Sequence, residues 1–493
     1  EEALDCLYRG RDFAGLLTAV QELCDWSMRA EHKAHLFDWL NDCPKDILCQ
    51  YPQAVLILMR RMFSLNMIKE MLKVKGWYIT ALEQNTYLTI EERNNYYGEL
   101  EIILSFLAFN SITRMSEHHR KAYRLLSCAP QTLSKQGVWS FGAPSLLGLY
   151  LRDSGALQQT LEDMYACMPP YYLLSNWHGA GAAELTEAEA LLLQGRIDEM
   201  DICLRKAGYL AQKHGQECIT LCCDFLAMQR DMLKGERTGQ IEKYRRHEGS
   251  AWQQSMLLNT ADMCVGFYYA LLGETQYLPQ WLTSMEFDEA VVLYPARPCR
   301  NFIAAQCLLA QQRYTELLVR YDDLLAECRP YNNFLCQLYL LVQKACAFAG
   351  LGAQAKAQTA LHKALAMAAP DGLVLPFAQN STLLEPLLKK ELAGEQRELV
   401  ERILALGEQL AAGRRKLCMT AAERSLLAEL SELELQIAQL AAARHTNKEI
   451  AAALNLREGT IKQYLNRIFV KLDIDTEAKN KRHQLAKYFP PTN

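Results

Sequence analysis

The chain has 493 residues, half of them hydrophobic and 22% charged, too many for one ordinary core, so several domains or a repeat array are expected. Its formal net charge of −4 hides an asymmetry: residues 444–493 hold ten Lys and Arg against five Asp and Glu, net +5, which leaves −9 for the rest. A polyanion partner is therefore expected for the tail only.

From the amino end, the longest apolar runs, Ala54–Met59 and Ile102–Phe109, are far too short to span a membrane, and no basic start leads into an apolar signal core. Starting at Glu1 rather than at a methionine, the chain reads as compatible with a piece of something longer. His32, His35 and Asp38 have the spacing of metal ligands on a helix, but no second cluster accompanies them, and they read as surface residues with no metal site. The 17 cysteines form no C-x-x-C pair, and Cys218, Cys222, Cys264 and Cys346 sit inside apolar helical runs. They read as small buried hydrophobes in a reducing, cytoplasmic protein.

The next stretch is helical by its three- and four-residue apolar spacing, with sparse Pro and almost no alternation of period two. Turns fall at Gly195, Gly235, Gly273, Gln312 and Gly352, spaced 38–40 residues apart. Each unit reads as a helix, a tight turn and a second amphipathic helix, a hairpin that buries its apolar face only by stacking on its neighbours. The expectation is an all-α, TPR-like α-solenoid over residues 1–412, with about ten hairpins at the usual unit length. In the unit after Gly352, Ala357, Ala360, Leu361, Ala364 and Leu365 form the inward stripe.

Two segments interrupt the array, Gly137–Leu157 and Cys167–Leu192, rich in aromatics, Gly and Pro. Two readings stand: packing where hairpins change register, which aromatic loops commonly provide, or an effector pocket using Trp139, Phe141, Tyr171, Tyr172, Trp177 and His178. Farther on, the polar run Gly413–Lys416 suggests a linker over 413–425, followed by a small domain over 426–493.

In that domain Thr446 stands three residues before Glu449, a capping box opening a short helix from Asn447 to Leu454. Asn455 suits the left-handed turn that follows, and a second helix is expected from about Glu458 to Lys471. Its apolar positions Ile461, Leu465, Ile468 and Leu472 point inward, against Ile450, Leu454, Ile437 and Leu440, so Lys462, Gln463, Asn466 and Arg467 face outward. Two short helices at a sharp turn, the second displaying amides and cations, have the geometry of a helix-turn-helix that enters the major groove of duplex DNA. Gln and Asn pair bidentately with adenine, and Lys donates to guanine. Thr446, Asn447, Lys448, Thr460 and Lys471 are placed for phosphates, and Arg457 adds a cation beside them.

The stretch Leu430–Ile474, above all "NKEIA" and "GTIK", resembles the LuxR-type helix-turn-helix. That resemblance places Lys462, Gln463 and Asn466 at bases and Lys448 and Lys471 at backbone. Arg444 stands where the family usually has Gly, Arg457 replaces the usual Ser or Thr cap, and the tail "KNKRHQLAKYF" is more basic than the common fourth helix. The body resembles the sensor of the large LuxR regulators of the MalT type, at "FDWLNDCPKDILCQYPQAVLILM" and "ALHKALAMAAPDGLVLPFAQNSTLLEPLL". Those regulators carry an upstream nucleotide-binding switch; no G-x-x-x-x-G-K-[ST] occurs here, so no cofactor is expected for this chain. The resemblance implies a transcription regulator, an effector-responsive activator that meets promoter DNA and RNA polymerase as a homodimer or higher oligomer, with a small molecule or protein sensed by the solenoid. A helical scaffold with a vestigial DNA-binding domain is the alternative. No Ser-His-Asp set, metal cluster or paired carboxylates point to an enzyme.

Overall fold

Between Glu2 and Phe489, every regular element that the computed structural model describes is a helix, with no strand among the described residues. The described residues are 2–22, 33–133, 137–237, 239, 256–287, 292–418, 429–472, 474 and 481–489. By its internal contacts the chain forms two compact units, one of residues 1–231 and 238–407, the other of 232–237 and 408–493.

The first unit is built from antiparallel hairpins. All five turn residues read from the sequence period, four in this unit and Gly235 in the second, have positive φ, at 75°, 68°, 80°, 57° and 74° for Gly195, Gly235, Gly273, Gln312 and Gly352. Four are glycines, which adopt this conformation without a Cβ clash; Gln312 adopts it against that clash because the register of the array requires a turn there. The first helix of one hairpin and the second helix of the next differ in burial. In Arg297–Ala310 all positions except the last are buried, whereas Gln354–Ala368 buries only Ala357, Ala360, Leu361, Ala364, Leu365 and Ala368, the expected stripe. Small residues let hairpins approach closely: a Cβ on Gly350 would lie 2.5 Å from the Tyr314 ring.

Three local expectations change. After Gly273 a long second helix gives way to the 3-10 turn Thr275–Tyr277 and the short helix Gln280–Ser284, separated by Pro279, which has no N–H with which to continue a helix. The segment Cys167–Leu192 is mostly helical: Leu157–Ser175 runs straight through Pro169 and Pro170, and Ala182–Leu193 follows, so only 176–181 is irregular. Asn176, Trp177, Gly179 and Gly181, all at positive φ, make that reversal. Lastly, Gly413–Lys416 is not a joint but part of the continuous helix Arg397–Cys418, where Gly413 packs so tightly on the Met232 carbonyl that a Cβ there would clash. The rest of the expected linker, the second helix after Gly235, and His32 lie outside the described residues.

Sixteen of the cysteines are described, all as free thiols, and the described residues contain no cluster of potential metal ligands. No described helix is long and apolar enough to cross a membrane.

Candidate nucleic-acid interface

The second unit carries four helices at its carboxyl end, Glu432–Ala442, Asn447–Ala453, Glu458–Lys471 and Lys481–Tyr488. Their core contains Ile437, Ala441, Ile450, Ile461, Leu465, Ile468, Leu472 and Leu485, with Leu440 and Leu454 packed at its edge. Each fully buried Ile or Leu contributes about 1.5–3 kcal/mol. The inward face read from periodicity is therefore the buried face, and Phe469 joins it at 5% exposure.

Two capping boxes start the first two helices. Ser431 and Glu434 bond reciprocally, as do Thr446 and Glu449, whose carboxylate accepts the Thr446 N–H at 2.7 Å and its hydroxyl at 2.9 Å. The Thr446 N–H, then its hydroxyl, hold Glu449 below the usual carboxylate range. This carboxylate is thereby committed to backbone rather than left facing an incoming phosphate. The turn between helices closes with Asn455 at φ 56°, and Arg444 also adopts positive φ, 66°, where Gly would be easier. Arg457, in extended conformation, makes no side-chain cap bond for Glu458–Lys471, and its side chain is exposed.

On the outer face of Glu458–Lys471, Lys462, Gln463, Asn466 and Arg467 are all exposed. Lys448 and Thr446 are exposed on the preceding helix, Thr460 is half-buried, and the Arg467 guanidinium lies 6.0 Å from the Tyr464 ring. Lys448, Arg457, Lys462 and Arg467 have no acidic partner among the described residues; the ion pair formed within these four helices is Lys471–Glu434. Cations held on one face without partners are what a phosphate backbone requires.

Two residues depart from the expected roles. Lys471 is turned inward: its Nζ donates to the Glu434 carboxylate at 2.7 Å and to the Glu429 carbonyl at 2.9 Å. Burial pushes Glu434 up, but Lys471 and the Ser431 bonds outweigh it and leave the carboxyl below its ordinary range. The charge of Lys471 is thus paired with Glu434 in the free domain. Asn447 is half-buried, and its side-chain oxygen accepts from the Arg482 guanidinium, which also donates to the His445 carbonyl. Arg482, absent from the residues singled out in the sequence, therefore ties the last helix to the start of Asn447–Ala453 and brings a cation there. The basic run around it was the signal.

With this geometry in place, comparison with protein families gives a match over residues 428–482 to the bacterial regulatory proteins of the luxR family. Residues 428–482 are a luxR-family DNA-binding domain. The match covers this luxR-family domain alone, and the whole chain finds no match among curated proteins.

The six aromatic and histidine residues considered for an effector lie outside the luxR-family domain. Trp139 is buried against Tyr150, with ring centroids 5.6 Å apart. Phe141 packs into a phenylalanine cluster with Phe63, Phe106 and Phe109. Tyr171 and His178 are buried together, with the Tyr hydroxyl 2.7 Å from Nδ1 and the Gly137 carbonyl 2.9 Å from Nε2, an arrangement that suits the Nε2–H tautomer. Tyr172 stacks on Trp177, which stacks in turn on His214 at 4.2 Å, and Trp177 is 40% exposed. Trp139, Tyr171, Tyr172, Trp177 and His178 thus meet at the 176–181 reversal.

Proposed function

We propose that this DNA-binding transcription regulator is an effector-responsive activator, in which the helical array is the sensor and the luxR-family domain reads promoter DNA. The observation that carries the DNA-reading half is the outer face of Glu458–Lys471, where two amides and two cations stand exposed on a helix whose other face is buried. In this reading Lys462, Gln463 and Asn466 meet base edges, and Thr446, Lys448, Arg457, Thr460, Arg467 and Arg482 meet the backbone. Support for the sensing half is the stack of hairpins, an architecture whose extended surfaces serve recognition. Likeness of this plan to the large MalT-type regulators extends the proposal to RNA polymerase as a partner and to dimers or higher oligomers on DNA, with any nucleotide switch lying in another segment.

Retention of duplex DNA by the full chain, measured across salt concentrations, tests the proposal. Lys448, Arg457, Arg467 and Arg482 as phosphate contacts give a slope of log affinity against log salt of about −3.6 per domain. Failure to retain any duplex at low salt would favour the alternative, a helical scaffold with a vestigial DNA-binding domain.

A further inference from the structure

Over residues 138–143 the chain reverses tightly: the Phe141 N–H donates to the Val138 carbonyl and the Ala143 N–H to the Ser140 carbonyl, with Phe141 and Gly142 at φ 55° and 87°. This conformation aims the Trp139 and Ser140 N–H groups at the sulfur of Cys218, the second residue of the helix Glu217–Lys234. Backbone N–H groups gathered in this way favour an anion. The Ser140 hydroxyl lies 3.0 Å from the same sulfur, and the Cys222 thiol, one helical turn on, bonds to it as well. Cys222 Sγ is also 3.4 Å from the Ala143 carbonyl, so its proton serves that carbonyl while Cys218 is a thiol and turns to Cys218 as it ionises.

These donors change the chemistry of the sulfur. The Cys222 S–H, then the Ser140 hydroxyl and the two N–H groups, outweigh burial and hold Cys218 below the ordinary thiol range. Exposure alone does not account for the difference from its neighbours: Cys223 is equally exposed, at 6%, and burial pushes it up. Cys203, half-buried and so more open to solvent, is pushed up to about 11 by burial and then by Glu187. Nor is a nearby sulfur sufficient. Cys299 and Cys336 lie 3.8 Å apart with no exposed surface, and burial first, then Cys299, push Cys336 well up.

We propose that Cys218 and Cys222 are a thiol pair reversibly oxidised by hydroperoxides, with Cys218 as the attacking sulfur and Cys222 as the resolving one. The Cys218 thiolate attacks one peroxide oxygen, and the S–O bond forms as the O–O bond breaks. The departing hydroxide takes up the proton that Cys218 had released and leaves as water. Cys222 sulfur then displaces the oxygen from Cys218 as a second water, which carries off the Cys222 proton. Two thiols thus lose two electrons and two protons, and the peroxide gains them. Four helical residues separate the two Cα atoms by about 6 Å, within the span of a disulfide. Closing the bond takes the Cys218 sulfur from Ser140 and the Cys222 proton from Ala143, and so loosens a turn that is otherwise tied to the helix Met256–Leu272 by the Thr260 hydroxyl, which donates to the Gly142 carbonyl at 2.8 Å. The inference goes beyond effector sensing, since it gives the helical array a redox input that needs no pocket.

The test maps thiols in the full chain. Native protein is treated with hydrogen peroxide, catalase removes the excess, and the thiols that survive are alkylated after denaturation and located by peptide mass. Cys218 and Cys222 are expected to be lost together, several-fold faster than Cys203, Cys223 and the Cys299–Cys336 pair, and dithiothreitol should restore both. Ser140→Ala, which removes one donor at a fully buried position, should slow that loss several-fold with helicity unchanged. Cys222→Ala should leave Cys218 as a sulfenic acid that forms more slowly. Loss that follows exposure, with Cys203 ahead of Cys218, equal rates at Cys218 and Cys223, loss of Cys218 without Cys222 in the wild type, or an unchanged rate in Ser140→Ala would each overturn the site. Thiol mapping needs no DNA, so its outcome stands apart from the activator role, on which duplex retention reports separately.

Discussion

The helices Arg297–Ala310 and Glu458–Lys471 are both 14 residues long and both carry basic side chains, but they use them in opposite ways. In the first, Arg300 is 4% exposed and its guanidinium lies 2.6 Å from Glu327 and 2.8 Å from the Asn301 side-chain oxygen. Burying a guanidinium requires such partners, and once paired it is part of the scaffold. In the second, Lys462 and Arg467 stand in solvent with no acidic partner among the described residues, on a helix whose position is fixed by Ile461, Leu465 and Ile468 on its other side. Arg300 holds structure; Lys462 and Arg467 remain available. A charged residue on a helix therefore indicates function through what it fails to touch inside its own chain.

The contrast is broken most strongly by exchanging the two kinds of cation. Arg300→Ala is expected to destabilise the body by about 2–3 kcal/mol, because Asn301 and Glu327 lose a charged donor, and to leave DNA affinity unchanged. Arg467→Ala should leave stability within about 0.5 kcal/mol and lower DNA affinity. Denaturant unfolding and duplex retention, run on both variants, check the pair; an Arg467→Ala protein that unfolds easily would place that residue in the scaffold.

A second test sharpens the account of the body. His119 is buried, bonded to the Ser105 hydroxyl and packed on the Tyr171 ring at 4.6 Å, and burial first, then His118 and His178, push its pKa down to about 3. The unfolded chain protonates this histidine below about pH 6.5 while the folded chain does not, so stability is complete above that value and falls as pH drops through the window from about 6.5 to 3. At pH 5.5 the loss from His119 is about 1.4 kcal/mol. Unfolding measured at pH 7.5 and 5.5 in the wild type and in His119→Gln should show this difference only in the wild type.

The smallest expected effects separate two lysines of the luxR-family domain. Lys471→Ala leaves Glu434 buried without its cation and should cost about 1 kcal/mol of stability with no change in salt slope. Lys448→Ala should reduce the salt slope by about 0.9 and leave stability unchanged. The reverse assignment would place Lys471 in the DNA-facing set.

These cases also show where sequence reading succeeds and where it stops. Periodicity found the hairpin turns and both faces of Glu458–Lys471 because each is set by local spacing: Gly195 to Gly352 mark a repeat, and Ile461, Leu465, Ile468 and Leu472 mark one stripe. It even located the turn at Gln312, which lacks the glycine, from register alone. It assigned Lys471 to phosphate because the partner, Glu434, lies 37 residues away and meets it only in the folded domain. Arg482 was passed over for the same reason, since its contacts with Asn447 and His445 cross 35 and 37 residues. Pro169 and Pro170 suggested a loop, yet the helix Leu157–Ser175 continues through them, held by burial of Met164, Cys167, Met168 and Tyr171.

The central claim is that the outer face of Glu458–Lys471 reads bases. Its most direct test is selection of duplexes from a randomised pool by the wild type, by Gln463→Ala and by Asn466→Ala, followed by competition of each selected duplex against random DNA. The wild type should enrich one sequence motif, and each variant should lose discrimination worth about 1–3 kcal/mol at its own base positions while keeping its helicity and its affinity for random duplex. Variants that enrich the same motif as the wild type, or that lose affinity equally for selected and random DNA with the fold intact, would contradict it.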